Sequence, residues 1–368
     1  MATRVLIMGA GTGASNNLIR SLTAGDPSLV LVGCHSDRFT LKKSPADRNY
    51  LIPFAPAPAV QRALGRIIDT ERIDLLVPNS DADVKLVSGL RKHIRCRLFL
   101  PSPATIELCQ DKYELAAFLR SRGLPAPLTY PVTGLDEIDH LFRRLAPRSG
   151  RVWCRIRSGG GSMGAIPVDS AEQARSWVAY WELMRGVAAS SFTLCEYLPG
   201  RDYAVQGLWR EGRLVLLKMC ERLSYFGGGS QPSGQSSTPA LAKTVFVPPV
   251  ADICARVMAA VDGTASGVFS IDLKEDAGGT PCVTEINAGR FCMITNVFDL
   301  TGKHNMAATY VRLAAGEPVE LRDEYDIAED YYLVRDLDTL PAIFHAEELL
   351  DGIREPRPPR ARRGVDSR

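Results

Sequence analysis

Residues 157–168 read RSGGGSMGAIPV, four glycines and two serines set between two apolar, strand-like runs. So little side chain leaves the backbone free to approach something closely, and glycine reaches conformations that other residues avoid. The run before it, VWCRI at 152–156, places Arg155 in an otherwise apolar strand. A cation therefore stands beside a loop built to hold a ligand against its main chain.

A second stretch narrows the chemistry. FSIDLKEDAGGTPCVTEIN, residues 269–287, carries Asp272 in one strand-like run and Glu285 and Asn287 in the next. Residues two apart on a strand share a face, so Glu285 and Asn287 project together. If 275–280 make the hairpin turn, Asp272 pairs with Glu285 across it. That gathers three hard oxygen donors on one patch, and burying two carboxylates without a partner is costly. Magnesium shared with phosphate oxygens is one natural partner. A surface hairpin with salt bridges to Arg290 or Lys274 is the other reading, and these residues alone leave both open.

Working outward, RVLIMGAGTGASNNLIRSL at the start reads as strand, glycine turn and helix. LVLVGCHSD, IDLLVPNSD and CRLFLP read as three further buried strands, with helical stretches such as AVQRALGRIIDTE between. Buried strands alternating with helices predict a parallel α/β sheet covered on both faces. That rhythm ends near residue 103, after Pro101 and Pro103. TIELCQDKYELAAFLRSRGLPAP then reads as one helix stopped by glycine and proline. Beyond it, short strands with turns such as REGR and EDAGGT mix with helices SAEQARSWVAYWELM and PVADICARVMAAVD, an α+β pattern with antiparallel sheet. FGGGSQPSGQSSTPA, residues 226–240, is too long for a simple turn and reads as a mobile loop or a lid over a site.

The first turn also fits a dinucleotide pattern through Gly9, Gly11 and Ala14, with Asp37 after the second strand. Any strand-to-helix turn favours glycine, so a structural role is the alternative. Asp81, in NSDAD at the end of the third strand, could hold an amine substrate or cap a helix.

Composition excludes several classes. The 368 residues carry a net charge of +2, which gives no pull toward nucleic acid or membrane. The nine cysteines have no CxxC spacing and no leader precedes them, which predicts free thiols in a reducing cytoplasm. No apolar run approaches the roughly 18 residues of a membrane span. The last stretch, 354–368, has six Arg against Glu355 and Asp366, a local +4, and reads as a basic disordered tail.

In chain order these pieces resemble the ATP-grasp superfamily. The likeness is greatest to the ATP-grasp domains of the carbamoyl-phosphate synthase large chain and of carboxylate–amine ligases of the pyrrolysine-pathway type. It covers about residues 1–335. The resemblance implies a Rossmann-like pre-ATP-grasp domain at 1–103, a small lid subdomain at 104–194 and a large subdomain at 195–353. DKYELAAFL resembles the family's Asp-Lys helix start, so Lys112 would reach nucleotide phosphates. RIRSGGGSMG resembles Lys-Pro-x-x-Gly-x-Gly-Ser-x-Gly, with Arg155 in the lysine position and Ile156 in that of proline. Ser158, Gly159, Gly160, Gly161 and Ser162 would then form a flap whose N–H groups cradle phosphate. LCEYLPGRDYAV resembles the hinge that bonds adenine, here Glu196, Tyr197 and Leu198, with Asp202 in place of a ribose-binding glutamate. Lys218 and Arg222 would meet the γ-phosphate or acyl phosphate. Asp272, Glu285 and Asn287 fall on the magnesium positions, and Arg290 stands one residue later than the family's Asn-Pro-Arg.

The resemblance thus implies an ATP- and Mg²⁺- (or Mn²⁺-) dependent ligase. It would activate a carboxylate as an acyl phosphate for attack by an amine or other nucleophile. Bicarbonate use of the carbamoyl-phosphate synthase kind, a non-catalytic ATP-binding regulator and a NAD-dependent oxidoreductase are the rival readings. Its partners would be small molecules, and a homodimer stands beside a monomer as its oligomeric state.

Overall fold

The computed structural model describes residues 2–55, 57–148, 150–336 and 342–348; the basic tail at 354–368 lies outside them. The first unit runs β1 (Arg4–Met8), α1 (Gly13–Gly25), β2 (Val30–His35), α2 (Arg38–Leu41), β3 (Arg48–Leu51), α3 (Ala57–Glu71), β4 (Leu75–Val77) and α4 (Asp81–Gly89). Its strands form a parallel sheet in the order β3-β2-β1-β4. Strand alternation sends Val5 and Ile7 toward Leu18, Ile19 and Leu22 of α1, and Leu6 and Met8 toward Leu64, Ile67 and Ile68 of α3. Both faces are covered, as the continuous apolar runs predict.

Two expectations fail here. CRLFLP adds only a single parallel bridge, Leu75 to Arg97, and the fourth strand is β3 instead. β3 is an edge strand with three of its four residues exposed, so it carries no hydrophobic signal. The long helix after Pro103 is two helices, α5 (Pro103–Gln110) and α6 (Lys112–Ser121). Asp111 breaks it: its backbone is extended, and its side chain accepts from the N–H groups of Tyr113 and Glu114 at 3.1 Å. A competent N-cap thus interrupts a continuous apolar pattern.

The next unit contains β5 (Thr129–Pro131), α7 (Ile138–Leu145), β6 (Val152–Ile156), β7 (Ile166–Val168), α8 (Ala171–Arg185) and β8 (Phe192–Glu196). It is a small antiparallel sheet in the order β5-β8-β6-β7, with α7 and α8 packed on one core. The small sheet starts with β5 at Thr129, and the two helices before it are not part of its core. α5 and α6 bury Ile106, Cys109, Leu115 and Leu119 in the core of the large sheet.

That sheet comprises β9 (Asp202–Arg210), β10 (Arg213–Tyr225), β11 (Pro239–Thr244), β12 (Gly267–Glu275), β13 (Pro281–Ala288), β14 (Tyr331–Val334) and β15 (Ala342–His345). The helices between are α9 (Pro248–Val261), α10 (Thr295–Thr301) and α11 (Met306–Ala314). All pairings are antiparallel, in the order β13-β12-β9-β10-β11-β14-β15. The α1 face of the first sheet shares a core with this unit through Phe291, Met306 and Tyr310. The first unit is thereby fixed against the segment after β13. Among the described residues, no helix is long and apolar enough to cross a membrane.

Candidate functional site

One cleft collects most of the residues singled out from the sequence. It lies between the lid sheet and the large sheet, under the glycine loop and beside the 226–240 loop. Lys112, Arg155, Gly159, Gly160, Gly161, Ser162, Glu196, Tyr197, Leu198, Asp202, Arg222, Asp272, Glu285, Asn287 and Arg290 line it. Ser158 does not: it is exposed and bridges to Asp111 at the root of the loop.

The acids meet as the hairpin demands. β12 ends at Glu275, β13 begins at Pro281, and Asp272 lies directly opposite Glu285. Like charges opposed across a ladder repel. Burial pushes the Asp272 carboxyl up, the Arg222 guanidinium pulls it back and the Glu285 charge adds to the rise. Lys112 offsets Glu285 at 3.5 Å. Asn287 lies on the same face, and its Oδ1 accepts from Arg290 Nη2 at 2.5 Å. Among the described residues no three His, Cys, Asp or Glu side chains converge as a metal cage. Two acids and an amide are instead a partial set of hard donors, which fits a Mg²⁺ that keeps water and phosphate oxygens as its other ligands.

Arg290 reaches this group despite its displaced position. Gly289 turns the chain at φ +83°, and a Cβ there would press on Leu100 at 3.0 Å and Pro101 at 3.3 Å. The first unit then grips the two residues after that turn. Asp81 Oδ1 accepts from Arg290 Nε at 2.5 Å, and Asn79 Oδ1 accepts from the Phe291 N–H at 2.9 Å. Burial acts to lower the Arg290 pKa, but the Asp81 carboxylate prevails and raises it. Asp81 is thus engaged by Arg290 and is not a free amine acceptor. The N-cap of α4 is Ser80, not Asp81.

Arg155, the glycine loop and Lys112 face the cleft from β6, the β6–β7 connection and the start of α6. Arg155 is buried in β6; its Nη2 donates to Thr284 O at 3.0 Å and its buried Nε has no partner. The loop after it bends through positive φ at Gly159, Gly161, Ser162 and Gly164. Its root is stapled: Arg157 Nε donates to both Asp111 oxygens at 2.8 and 2.7 Å, and Nη2 to Glu114 at 2.9 Å. The Asp111 cap sets Lys112 at the first turn of α6, where its Nζ donates to Gly159 O at 2.5 Å. An orphaned buried guanidinium N–H and a loop with successive backbone N–H groups suit a polyphosphate. β8 ends at Glu196, so Tyr197 and Leu198 form the strand-free link to β9 at the cleft wall.

Two expected roles change. Lys218 is not in the cleft. It shares the β10 face with Arg222 but lies under α10, 1% exposed. There it donates to Phe298 O at 2.9 Å and His304 O at 2.5 Å, and pairs with Asp326 at 3.1 Å and Asp299 at 3.9 Å. It is a packed structural cation. Asp202 does line the cleft, but its Oδ1 accepts Arg222 Nε at 2.7 Å and its Oδ2 accepts the Tyr225 hydroxyl. Both oxygens are engaged, so a ribose would have to displace one of these bonds. Arg222 itself is clamped between Asp202 and Asp272 at 2.5 and 3.0 Å. Burial acts to lower its pKa, yet these acids raise it well above the usual value.

The first glycine turn holds protein, not ligand. A Cβ at Gly11 would lie 1.9 Å from Thr40 O, and the Gly11 N–H donates to Asn16 Oδ1 at 3.1 Å. Asp37 caps α2 through Thr40 N at 2.6 Å. The chain after β2 thus fills the place a pyrophosphate would take. Cleft residues that sequence reading passed over are Tyr225, Gln235, Ser236, Ser237 and Met293. The three from the 226–240 loop carried one signal, the length and composition of that loop.

The fold that places this cleft between a lid and an antiparallel sheet is the ATP-grasp fold. No family model and no curated protein matches the chain. Among solved structures it is similar to an L-amino acid ligase from Bacillus licheniformis, at TM-score 0.69 and 13% identity, over 90% of this chain and 78% of that one. The biotin carboxylase domain of a Hydrogenobacter thermophilus 2-oxoglutarate carboxylase, solved with MgADP, ADP and bicarbonate, aligns at TM-score 0.67 and 15% identity, over 90% and 74%. An N5-carboxyaminoimidazole synthetase from Staphylococcus aureus aligns at 0.65 and 12%, over 90% and 82%. Identities this low establish shared architecture only.

Proposed function

We propose that the protein is an ATP-dependent ligase that activates a carboxylate as an acyl phosphate and passes the acyl group to an amine or other nucleophile. One observation carries the reading. The opposed acids Asp272 and Glu285, with Asn287 and Arg290, face the same cleft as Lys112, Arg155 and the glycine flap. An oxidoreductase site would have no use for that combination.

In this reading the adenine lies against the main chain of Glu196, Tyr197 and Leu198. Lys112 and Arg155 hold the phosphates, and the flap covers them. Mg²⁺, when bound by Asp272, Glu285 and Asn287, would neutralise charge on the phosphate oxygens. A substrate carboxylate oxygen attacks the γ-phosphorus; the bond to the β–γ bridging oxygen breaks and ADP leaves. The amine lone pair then attacks the acyl carbon, the C–O bond to phosphate breaks, and the amine proton passes to water. Arg290, oriented by Asp81 and Asn287, steadies the transferring group. Such chemistry needs positioning and cations more than covalent machinery. Bicarbonate as the carboxylate is a second reading, favoured by the neighbour solved with that anion. Nine free cysteines support a reducing, cytoplasmic setting.

The test is phosphate release with ATP and Mg²⁺ against amino acids in pairs, and against bicarbonate with single amines. Parallel thermal-shift runs compare ATP with NAD(H) and NADP(H). Stabilisation by ATP·Mg²⁺ alone, with release from at least one pair, is expected. Nicotinamide stabilisation without an ATP effect would refute the reading.

A further inference from the structure

Two neighbouring segments of the cleft wall carry no charge. The charged side chains that line the cleft come from the lid, α6, the hinge and strands β9, β10, β12 and β13, with Arg290 just past β13. Beyond Arg290 the lining passes to Met293 and Ile294, and the 226–240 loop adds Gln235, Ser236, Ser237 and Pro239. Met293 follows Arg290 by three residues, at most about 10 Å of chain. Arg335, outside the lining, ties the two segments together by donating to Met293 O at 2.9 Å and Pro239 O at 2.8 Å. A charged substrate group against this wall would lose water and meet no charged side chain.

Met293 is half-buried, with the cleft on one side and α1 on the other. Its carbonyl accepts from Asn17 Nδ2 of α1 at 2.6 Å as well as from Arg335. Gly13 lies one turn before Asn17 on the same helix face and makes room for the side chain. A Cβ at Gly13 would lie 2.8 Å from Met293 Cε and 3.4 Å from its Sδ. The first distance is well inside the roughly 3.5–4.0 Å at which carbon atoms pack. Gly13 opens α1 and has no positive φ, so the backbone does not demand glycine there; the thioether does.

We propose that Met293 gauges the size of an uncharged substrate group beyond Arg290, and that Gly13 sets this gauge from α1. The proposal rests on the ligase reading and narrows it: one of the two substrates presents a side chain without charge, apolar or hydroxyl-bearing. Met293 is then a specificity-determining residue, and Gly13 a positioning residue that acts only through it.

The experiment reads binding rather than turnover. Calorimetry on the full chain, saturated with Mg²⁺ and a non-hydrolysable ATP analogue, compares glycine, alanine, valine, leucine and phenylalanine, and sets glutamate and lysine against glutamine and methionine. The neutral series should show a size optimum, each buried methylene being worth about fourfold in affinity. Glutamate and lysine should bind at least about tenfold more weakly than their neutral counterparts. Met293→Ala should move the optimum to a larger side chain. Gly13→Ala places a methyl against Met293 Cε and pushes the flexible thioether toward the cleft, which should move the optimum to a smaller one. Each shift should change the large-to-small affinity ratio at least about fourfold. In the double variant Gly13→Ala should add nothing further. A size profile unmoved by either substitution, a Gly13→Ala shift that persists in the double variant, tighter binding of the charged side chains or no binding across the panel would overturn the assignment. Phosphate release is scored separately. A shifted size profile with no release from any pair keeps the gauge and sinks the ligase reading, whereas release with an unmoved profile does the reverse.

Discussion

Asp81 and Arg290 are 209 positions apart in the chain and meet at 2.5 Å. The contact joins the first residue of α4 in the first unit to the residue just past the turn out of β13, and it orients the guanidinium that also reaches Asn287. Arg290 is also within 2.5 Å of Asn287 Oδ1, so it is held from two sides. The first unit therefore contributes directly to the geometry of the cleft.

Removing that hold should separate binding from turnover. Asp81→Asn keeps the size of the side chain and removes its charge. Arg290 then loses one of its two anchors, and a displacement of about 1 Å can cost on the order of 10²-fold in rate. ATP affinity by calorimetry should stay near wild type, because Lys112 and Arg155 remain. A parallel fall in ATP affinity would place Arg290 in nucleotide binding instead.

Glu285→Gln and Asn287→Ala should fold normally and lose turnover by roughly 10²-fold or more, the scale of one preorganised electrostatic group. Removing the Glu285 charge also relieves its repulsion of Asp272, which should let the Asp272 carboxyl fall toward its ordinary range. Melting curves should therefore show no loss in Glu285→Gln. Wild-type rates in both variants would move the metal site elsewhere.

The parts of this site differ in how legible they are in the sequence. The pairing of Asp272 with Glu285 follows from strand alternation and a turn-rich gap, both local. The flap shows because glycine has few other reasons to cluster. Lys218 misleads because alternation puts it on the face of Arg222 without telling how far α10 covers that face. Asp81 could be placed at the sheet edge, but its partner lies beyond any local pattern. β3 is short, polar and exposed, so no hydrophobic signal marks it. Asp111 interrupts a helix whose apolar periodicity runs straight through, and only its capping bonds reveal the break.

Lys218 should behave as a folding residue. Lys218→Met leaves Asp299 and Asp326 buried without their cation, and breaking such a pair costs about 3–5 kcal/mol. A catalytic lysine would give the opposite signature, normal melting with lost turnover.

Asp299 adds a pH signature to this cluster. Burial pushes it up to about 6, against the pull of Lys218 and its bonds from the Met306 and Ala307 N–H groups. Its folded value exceeds its ordinary 3.8. The folded state therefore binds this proton more tightly than the unfolded chain. The associated stability is fully present below about pH 4 and is lost as pH rises toward about 6. Asp326 has the opposite sign: burial raises it, but bonds from the His304 and Lys303 N–H groups prevail and hold it low, so its contribution is lost only in more acid solution. Asp299→Asn should thus flatten the melting-temperature profile between about pH 4 and 6. An unchanged slope in that window would show that Asp299 does not titrate there.

Arg155 decides whether the glycine loop covers phosphate. Its Nη2 is fixed on Thr284 O, and its Nε is buried without a partner. A phosphate oxygen would satisfy that N–H and the charge together. Arg155→Met should therefore weaken ATP binding by about 1.5–3 kcal/mol, the usual range for a hydrogen bond to a charged group. Arg155→Lys keeps the charge but cannot hold Thr284 O and phosphate through one rigid fork. It should fall between wild type and Met, closer to wild type if point charge dominates. Lysine as damaging as methionine would mean that fork geometry governs the site. Calorimetric titration of ATP·Mg²⁺ into the three proteins distinguishes these outcomes. Equal affinity in all three would remove Arg155 from the nucleotide site, and the loop at 157–168 would then cover something other than ATP.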